Sequence, residues 1–250
     1  MEWVNNFYNK QFQLYKEGLT GPNEEHEEIL TKIETLASKP FQSILELGAG
    51  GGEFAITAAK KGYDVSAVEL VGSRVDYMKK LKNEHNLIGE LEIIEGDFYE
   101  VDLPKSFDVI CYIDGFGIGD DHDQQKLLKR MSNWLKPDGC ILIDIYAPWY
   151  WASVAGQEMM VGSKLRKYDF DFLNCRMLDT WFDGDENVTQ SLRCYSPQDL
   201  KMLLEDTGLM LVDIKPGGAM NYKTWQYHEN VDLDEAMSYM AKLVPGQGCR

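Results

Sequence analysis

Between Ser43-Ile44-Leu45-Glu46-Leu47 and Glu53-Phe54-Ala55 the chain places four glycines in five positions, Gly48-Ala49-Gly50-Gly51-Gly52. Each glycine in a regular segment costs backbone entropy, so such a run marks a place where the backbone must turn tightly or approach something closely. The apolar run before it reads as a buried strand. Glu53 to Lys60 reads as a helix, closed by Gly62. A glycine-rich turn leading from a buried strand into a helix brings backbone N–H groups close to a ligand.

The pattern then repeats. Tyr63 to Glu69, Leu91 to Ile94, Phe107 to Ile113 and Cys140 to Ile145 read as further strands. Val75 to Leu81 reads as a helix. Leu127, Leu128, Met131, Trp134 and Leu135 line one face of another, stopped by Pro137-Asp138-Gly139. Strands alternating with helices over short links give a parallel sheet covered on both faces. From Pro148 to Val188 the helical period disappears, and polar and apolar residues alternate from Lys164 to Leu178, which reads as an antiparallel insertion. Thr189 to Tyr195 reads as a return to the main sheet. Ser196-Pro197-Gln198-Asp199 opens a helix running to Gly208, and Leu209 to Ile214 closes the sheet. Ahead of all this, Trp3, Phe7, Tyr8, Phe12 and Tyr15 form an aromatic stripe at helical spacing, and Ile29 to Ala37 a second amphipathic helix.

The expected fold is therefore α/β, doubly wound, with a mostly parallel seven-stranded sheet and helices on both faces. A helical cap occupies 1–40, the core 41–147 and 188–217, a lid insertion 148–187, and a C-terminal strand or helix with a loose tail 218–250. The 250 residues are enough for one such core.

Charge narrows the partners. Forty-one acidic side chains face 25 basic ones, a net charge of −16, and no lysine or arginine cluster compensates. That field repels nucleic acid. No apolar run is long enough to span a bilayer, and Met1-Glu2-Trp3-Val4 lacks a signal-peptide pattern, so a cytoplasmic protein without membrane association is expected. Five cysteines without paired spacing and four scattered histidines predict neither a disulfide framework nor a metal site. A monomer or homodimer fits equally.

Three uses of the glycine loop compete: a turn without ligand, a nicotinamide dinucleotide site and a third kind of nucleotide site. The dinucleotide fingerprint needs a third glycine at position 53, which is Glu53. Glu46 to Gly52, read as E-x-G-x-G-x-G, resembles the first motif of class I S-adenosylmethionine-dependent methyltransferases of the small-molecule type. The resemblance extends from about Phe41 to Ile214, with Glu69, Gly96-Asp97-Phe98 and Asp114-Gly115-Phe116-Gly117 following in order at strand ends.

It implies S-adenosylmethionine as cofactor, held by Glu46, Gly48, Ala49, Gly50, Gly52, Glu69, Leu70, Asp97, Phe98 and Ile113. Glu69, 17 positions after Gly52, would accept the two ribose hydroxyls, Asp97 the adenine amino group, and Phe98 would flank the ring. A nucleophile attacks the sulfonium methyl in line; the protein supplies orientation, and a base only where the nucleophile keeps a proton. Asp114, Tyr146 and His122 are the candidate catalytic residues. Tyr8, Phe12, Phe116, Trp149, Arg193 and Tyr195 are the candidate substrate contacts, with Arg166 and Arg176 as carboxylate clamps or surface ion-pair partners of Asp169, Asp171 or Asp179. The acceptor is expected to be a small molecule or a peptide end. The rival readings are a nicotinamide oxidoreductase, a non-catalytic cofactor-binding module, and an aminopropyl transferase.

Overall fold

The structure, a computed structural model, describes residues 2–15 and 19–246. Two helices lead, α1 (Glu2–Tyr15) and α2 (Glu24–Ala37). The core then runs β1 (Ser43–Leu47), α3 (Glu53–Lys60), β2 (Asp64–Glu69), α4 (Gly72–Glu84), β3 (Leu91–Glu95), β4 (Phe107–Tyr112), α5 (Asp121–Trp134) and β5 (Leu135–Tyr146). A short helix, α6 (Pro148–Ser153), leads into β6 (Glu158–Val161), β7 (Lys164–Asp171), β8 (Arg176–Asp183) and β9 (Glu186–Arg193). After α7 (Pro197–Leu203) come β10 (Leu209–Pro216), the hairpin β11 (Ala219–Asn221) and β12 (Gln226–His228), and β13 (Ser238–Pro245).

Seven strands form the main sheet in the order β10-β13-β5-β4-β1-β2-β3. The pairs β4–β5, β4–β1, β1–β2 and β2–β3 are parallel, as the strand–helix alternation requires. β1 is buried along Ile44 to Leu47 because helices cover both of its faces, which explains its unbroken apolar run. Two pieces differ from the sequence reading. Leu209 to Ile214 does stand at the edge of the sheet, but β13, from the C-terminal segment, inserts antiparallel between β10 and β5. Thr189 to Arg193 does not rejoin the main sheet either. It is part of β9, which pairs with β8 in a separate antiparallel sheet of order β6-β7-β8-β9. An amphipathic strand has the same period of two in either sheet, so the pattern alone does not say which partner it takes. The expected C-terminal tail starts at Pro245, the last residue of β13; positions 247–250, including Cys249, lie outside the described residues, as does the Tyr15 side chain.

The antiparallel sheet lies over the carboxyl ends of the main-sheet strands, with inward residues alternating: Met177, Asp179 and Trp181 on β8, Gln190 and Leu192 on β9. Helix α1 ties this lid to the core. Lys10 pairs with Glu186 on β9, Gln190 donates to the Tyr8 hydroxyl, and Ser73 on α4 donates to Asn9 Oδ1 at 2.8 Å.

At the opposite end of the sheet Asp108 is a clamp. Its carboxylate accepts from Ser43 N at 2.9 Å, Ser43 Oγ at 2.8 Å, Gln42 N at 3.2 Å and Lys136 Nζ at 3.0 Å, so it joins the starts of β1, β4 and β5. Burial pushes its pKa up, but the hydrogen bonds from Ser43, Lys136 and Gln42 outweigh that and bring it down from 3.8 to about 2. A depressed folded-state pKa stabilises the protein above pH 3.8, and the contribution is lost as pH falls toward 2. Replacing Asp108 by Ala is expected to cost about 2 kcal/mol, the worth of a multiply bonded charged acceptor. Denaturant midpoints measured from pH 6 down to pH 2 should converge for the two proteins, since the wild type loses the same interaction by protonation.

Candidate active site

The glycine turn carries β1 into α3 with Gly48, Gly50 and Gly52 at φ of 64°, 58° and 83°, all left-handed. Gly52 has a second constraint: a Cβ there would lie 2.2 Å from Met78 Cγ, so α4 packs directly onto the backbone of the loop. Two bonds fix the shape of the loop from the next strand. Ala49 N donates to Val68 O at 3.0 Å, and Gly50 N donates to Glu69 Oε2 at 2.8 Å. The other oxygen of Glu69 accepts from Val71 N at 2.8 Å. Burial pushes the Glu69 pKa up, and Arg74 with the N–H groups of Val71 and Gly50 pulls against it.

Beyond these strand ends lies a cavity of about 530 Å³. Glu46, Gly48, Ala49, Gly50, Glu69 and Leu70 form its floor, and Asp97, Phe98 and Ile113 continue it. Asp97 Oδ1 accepts from Tyr99 N at 2.8 Å, closing the turn after β3. Glu46 is 5% exposed, and its Oε2 has no hydrogen-bond partner among the described residues. Burial first, then the neighbouring Glu53 and Glu69, push its pKa well up. A buried carboxylate oxygen without a partner is costly unless a ligand or water supplies the donor. Together with a loop whose glycine Cβ positions would press on Tyr112 at 3.2 Å and Arg74 at 3.3 Å, this fits a polar, multiply donating ligand seated on the floor. Gly52 lies behind the loop and does not border the cavity; its role is the packing against Met78.

Asp114 and Tyr146 meet on the far side. Asp114 follows β4 at φ 53°, a left-handed conformation uncommon for a residue with a side chain. The Tyr146 hydroxyl, at the end of β5, donates to Asp114 Oδ1. Asp114 is open to the cavity, and desolvation by its walls raises the pKa while the Tyr146 hydrogen bond and Arg166 lower it. Tyr8 from α1, one of the candidate substrate contacts, also lines the cavity.

The remaining candidates lie elsewhere. His122 is exposed in the first turn of α5, whose cap is Asp120. Phe12 is buried beneath α1, its ring 5.8 Å from that of Tyr77. Phe116 is buried between the rings of Tyr112 and Tyr195. Trp149, on α6, packs at the edge of the lid core outside the cavity lining. Arg193 and Tyr195 both turn to Asp121: Arg193 Nε lies 3.3 Å from its carboxylate and the Tyr195 hydroxyl donates to it at 2.8 Å. Their displacement follows from β9 belonging to the lid, since Arg193 N donates to Gly117 O and the chain passes behind the 115–118 turn. Arg176 also holds that turn, donating to the carbonyls of Gly119 and Gly117 at 2.7 and 3.2 Å.

In their place the lid contributes Arg166, Trp181 and Gln190, and the core adds Tyr112 and Arg74. Arg166 donates to Asp179 through Nε at 2.9 Å and Nη2 at 2.8 Å, with Asp179 wholly buried. The period-two alternation of β7 and β8 carried the signal, since it puts Arg166, Asp179 and Trp181 in register on paired strands.

Residues 44–139 match the family described as methyltransferase domain. An uncharacterized methyltransferase of Staphylococcus carnosus is 28% identical over 201 residues, covering 79% of this chain and 86% of its own. The CcbJ methyltransferase from Streptomyces caelestis superposes with a TM-score of 0.74 at 17% identity, over 96% of this chain and 98% of its own. The glycopeptide N-methyltransferase MtfA, complexed with S-adenosylmethionine, has a TM-score of 0.60 at 17% identity, over 91% of this chain and 88% of its own.

Proposed function

We propose that the chain is a class I S-adenosylmethionine-dependent methyltransferase whose methyl acceptor is a small molecule or a short peptide end, attacked in line inside the cavity beneath the lid. One observation carries this: a single cavity joins the glycine loop, Glu69 and Asp97 on one side to Tyr8, Asp114, Tyr146 and the lid on the other. Its volume of about 530 Å³ is in the range that houses small ligands, and the lid strands and α1 contribute to its lining.

When bound, the cofactor supplies an electrophilic methyl on a sulfonium. On this reading Glu69 accepts the ribose hydroxyls, Asp97 the adenine amino group, and Phe98 flanks the ring. Glu46 Oε2 takes a donor from the methionine end. The lid excludes water and sets the acceptor behind the methyl. Among the described residues no helix is long and apolar enough to cross a membrane.

The test is calorimetric titration with S-adenosylhomocysteine, followed by a turnover screen of small molecules, short peptides and nucleic acids. Micromolar binding and turnover on small molecules or peptides are expected. Turnover on nucleic acid alone would sink the acceptor assignment.

A further inference from the structure

Six carboxylates line the cavity, those of Glu25, Glu46, Glu53, Glu69, Asp97 and Asp114, against the two guanidiniums of Arg74 and Arg166. The acid on the acceptor side is Asp114. Its hydroxyl partner is Tyr146 on β5, and the charged groups around it are Arg166 and Asp179 from the lid, Arg74 from α4 and Asp144 from β5. Arg166 is not available to an anionic acceptor, because both faces of its charge are already used. Asp179 takes its Nε and Nη2, and the rings of Tyr168 and Trp181 stand 4.7 and 4.8 Å from its guanidinium carbon. The Arg166–Asp179 pair contributes no net charge, so Asp114 sets the sign of that side. The Tyr8 and Trp181 rings also border the cavity, each with one face already turned to a guanidinium, Arg74 at 5.1 Å and Arg166 at 4.8 Å.

We propose that the methyl acceptor is an amine that binds as its ammonium form against the Asp114 carboxylate. The inference rests on the methyltransferase reading above.

The bound ammonium gives one proton to Asp114. The nitrogen lone pair freed in this way forms the new N–C bond while the C–S bond of the sulfonium breaks, its electron pair staying on sulfur. The products are the methylated ammonium and S-adenosylhomocysteine, and the proton leaves Asp114 for solvent. Asp114 opens onto the empty cavity, so a proton it accepts can leave to solvent, and desolvation by the surrounding walls raises its pKa, which favours proton acceptance.

The experiment incubates the protein and labelled cofactor with matched pairs of aralkylamines, amino alcohols and amino sugars and their deaminated counterparts. Products are separated by cation exchange. Label is expected only in cation-retained products. The Asp114→Asn variant keeps a side chain tolerant of left-handed φ, so it should fold. It is expected to raise the amine KM by about 10- to 100-fold, the worth of one charge-assisted hydrogen bond. Its S-adenosylhomocysteine affinity should stay within about threefold of wild type, a difference too small for a lost hydrogen bond. Neutral or anionic labelled products overturn the amine assignment. So does the absence of any labelled product while S-adenosylhomocysteine still binds. Loss of S-adenosylhomocysteine binding in Asp114→Asn assigns the carboxylate to the cofactor and overturns the proposal too. Failure of the wild type to bind S-adenosylhomocysteine overturns instead the reading on which it rests.

Discussion

Replacing Glu69 by Ala is expected to weaken S-adenosylhomocysteine binding by at least about 100-fold, because two charge-assisted hydrogen bonds to a diol are each worth about 1.5–3 kcal/mol. The side chain has a double role. It shapes the empty loop by accepting from Gly50 N and Val71 N, both at 2.8 Å, and its 6% exposure is on the cavity side, where a ligand would meet it. Alanine therefore removes a ligand contact and also leaves two backbone donors without their acceptor. Gln keeps the shape but puts a donor where one of those N–H groups points, so Glu69→Gln should bind with intermediate affinity. Burial sets the pH dependence. With the Glu69 pKa raised, the ionised form that accepts four donors is lost on acidification at a pH above the ordinary glutamate value of 4.5. Affinity should fall as pH drops through that raised value in the wild type, and should show no such step in Glu69→Ala. Calorimetry across this range decides it: a variant that binds as tightly as wild type removes Glu69 from the site.

That the floor of the cavity was legible in the sequence, and its far side much less so, has a local cause. Gly48 to Gly52, Glu69 and Asp97 follow strands that pair in parallel with short links, so their order along the chain fixes where they converge. Tyr8 was recoverable because an aromatic at helical spacing must face something. Arg193 and Tyr195 were misplaced for the opposite reason. They follow an amphipathic strand whose period of two fits either sheet, and only pairing between residues 176 and 193 shows that it belongs to the lid. His122 reads as a candidate base in a run of aspartates, yet Asp120 caps the helix and leaves the imidazole exposed. β13 was indistinct because an antiparallel strand entering a parallel sheet from far along the chain leaves no local signature beyond an apolar run. Arg166 and Asp179 lie 13 positions apart and become one group only through strand register.

That pair yields the second large effect. Asp179→Ala is expected to destabilise the protein by about 3 kcal/mol, at the low end of what breaking a buried ion pair costs. Asp179 has no exposed surface, and its carboxylate serves three donors: Arg166 Nε and Nη2, and Trp181 Nε1 at 3.2 Å. The loss is held near the low end because the Arg166 side chain keeps 26% of its exposure and can recover some solvation from the cavity. Denaturant unfolding measures it, and the double variant Arg166→Met/Asp179→Leu separates charge from packing. Once no unpaired cation remains, most of the stability should return, since apolar replacement of a buried pair is often close to neutral. The functional consequence has a definite sign. In Asp179→Ala the guanidinium is no longer neutralised beside Asp114, so an ammonium acceptor meets a competing positive charge and its KM rises. The double variant removes that charge and should restore the KM. S-adenosylhomocysteine affinity, which depends on the floor of the cavity, should change little in either protein. A KM that stays at its wild-type value in stably folded Asp179→Ala would mean that the acceptor does not sense the lid charge.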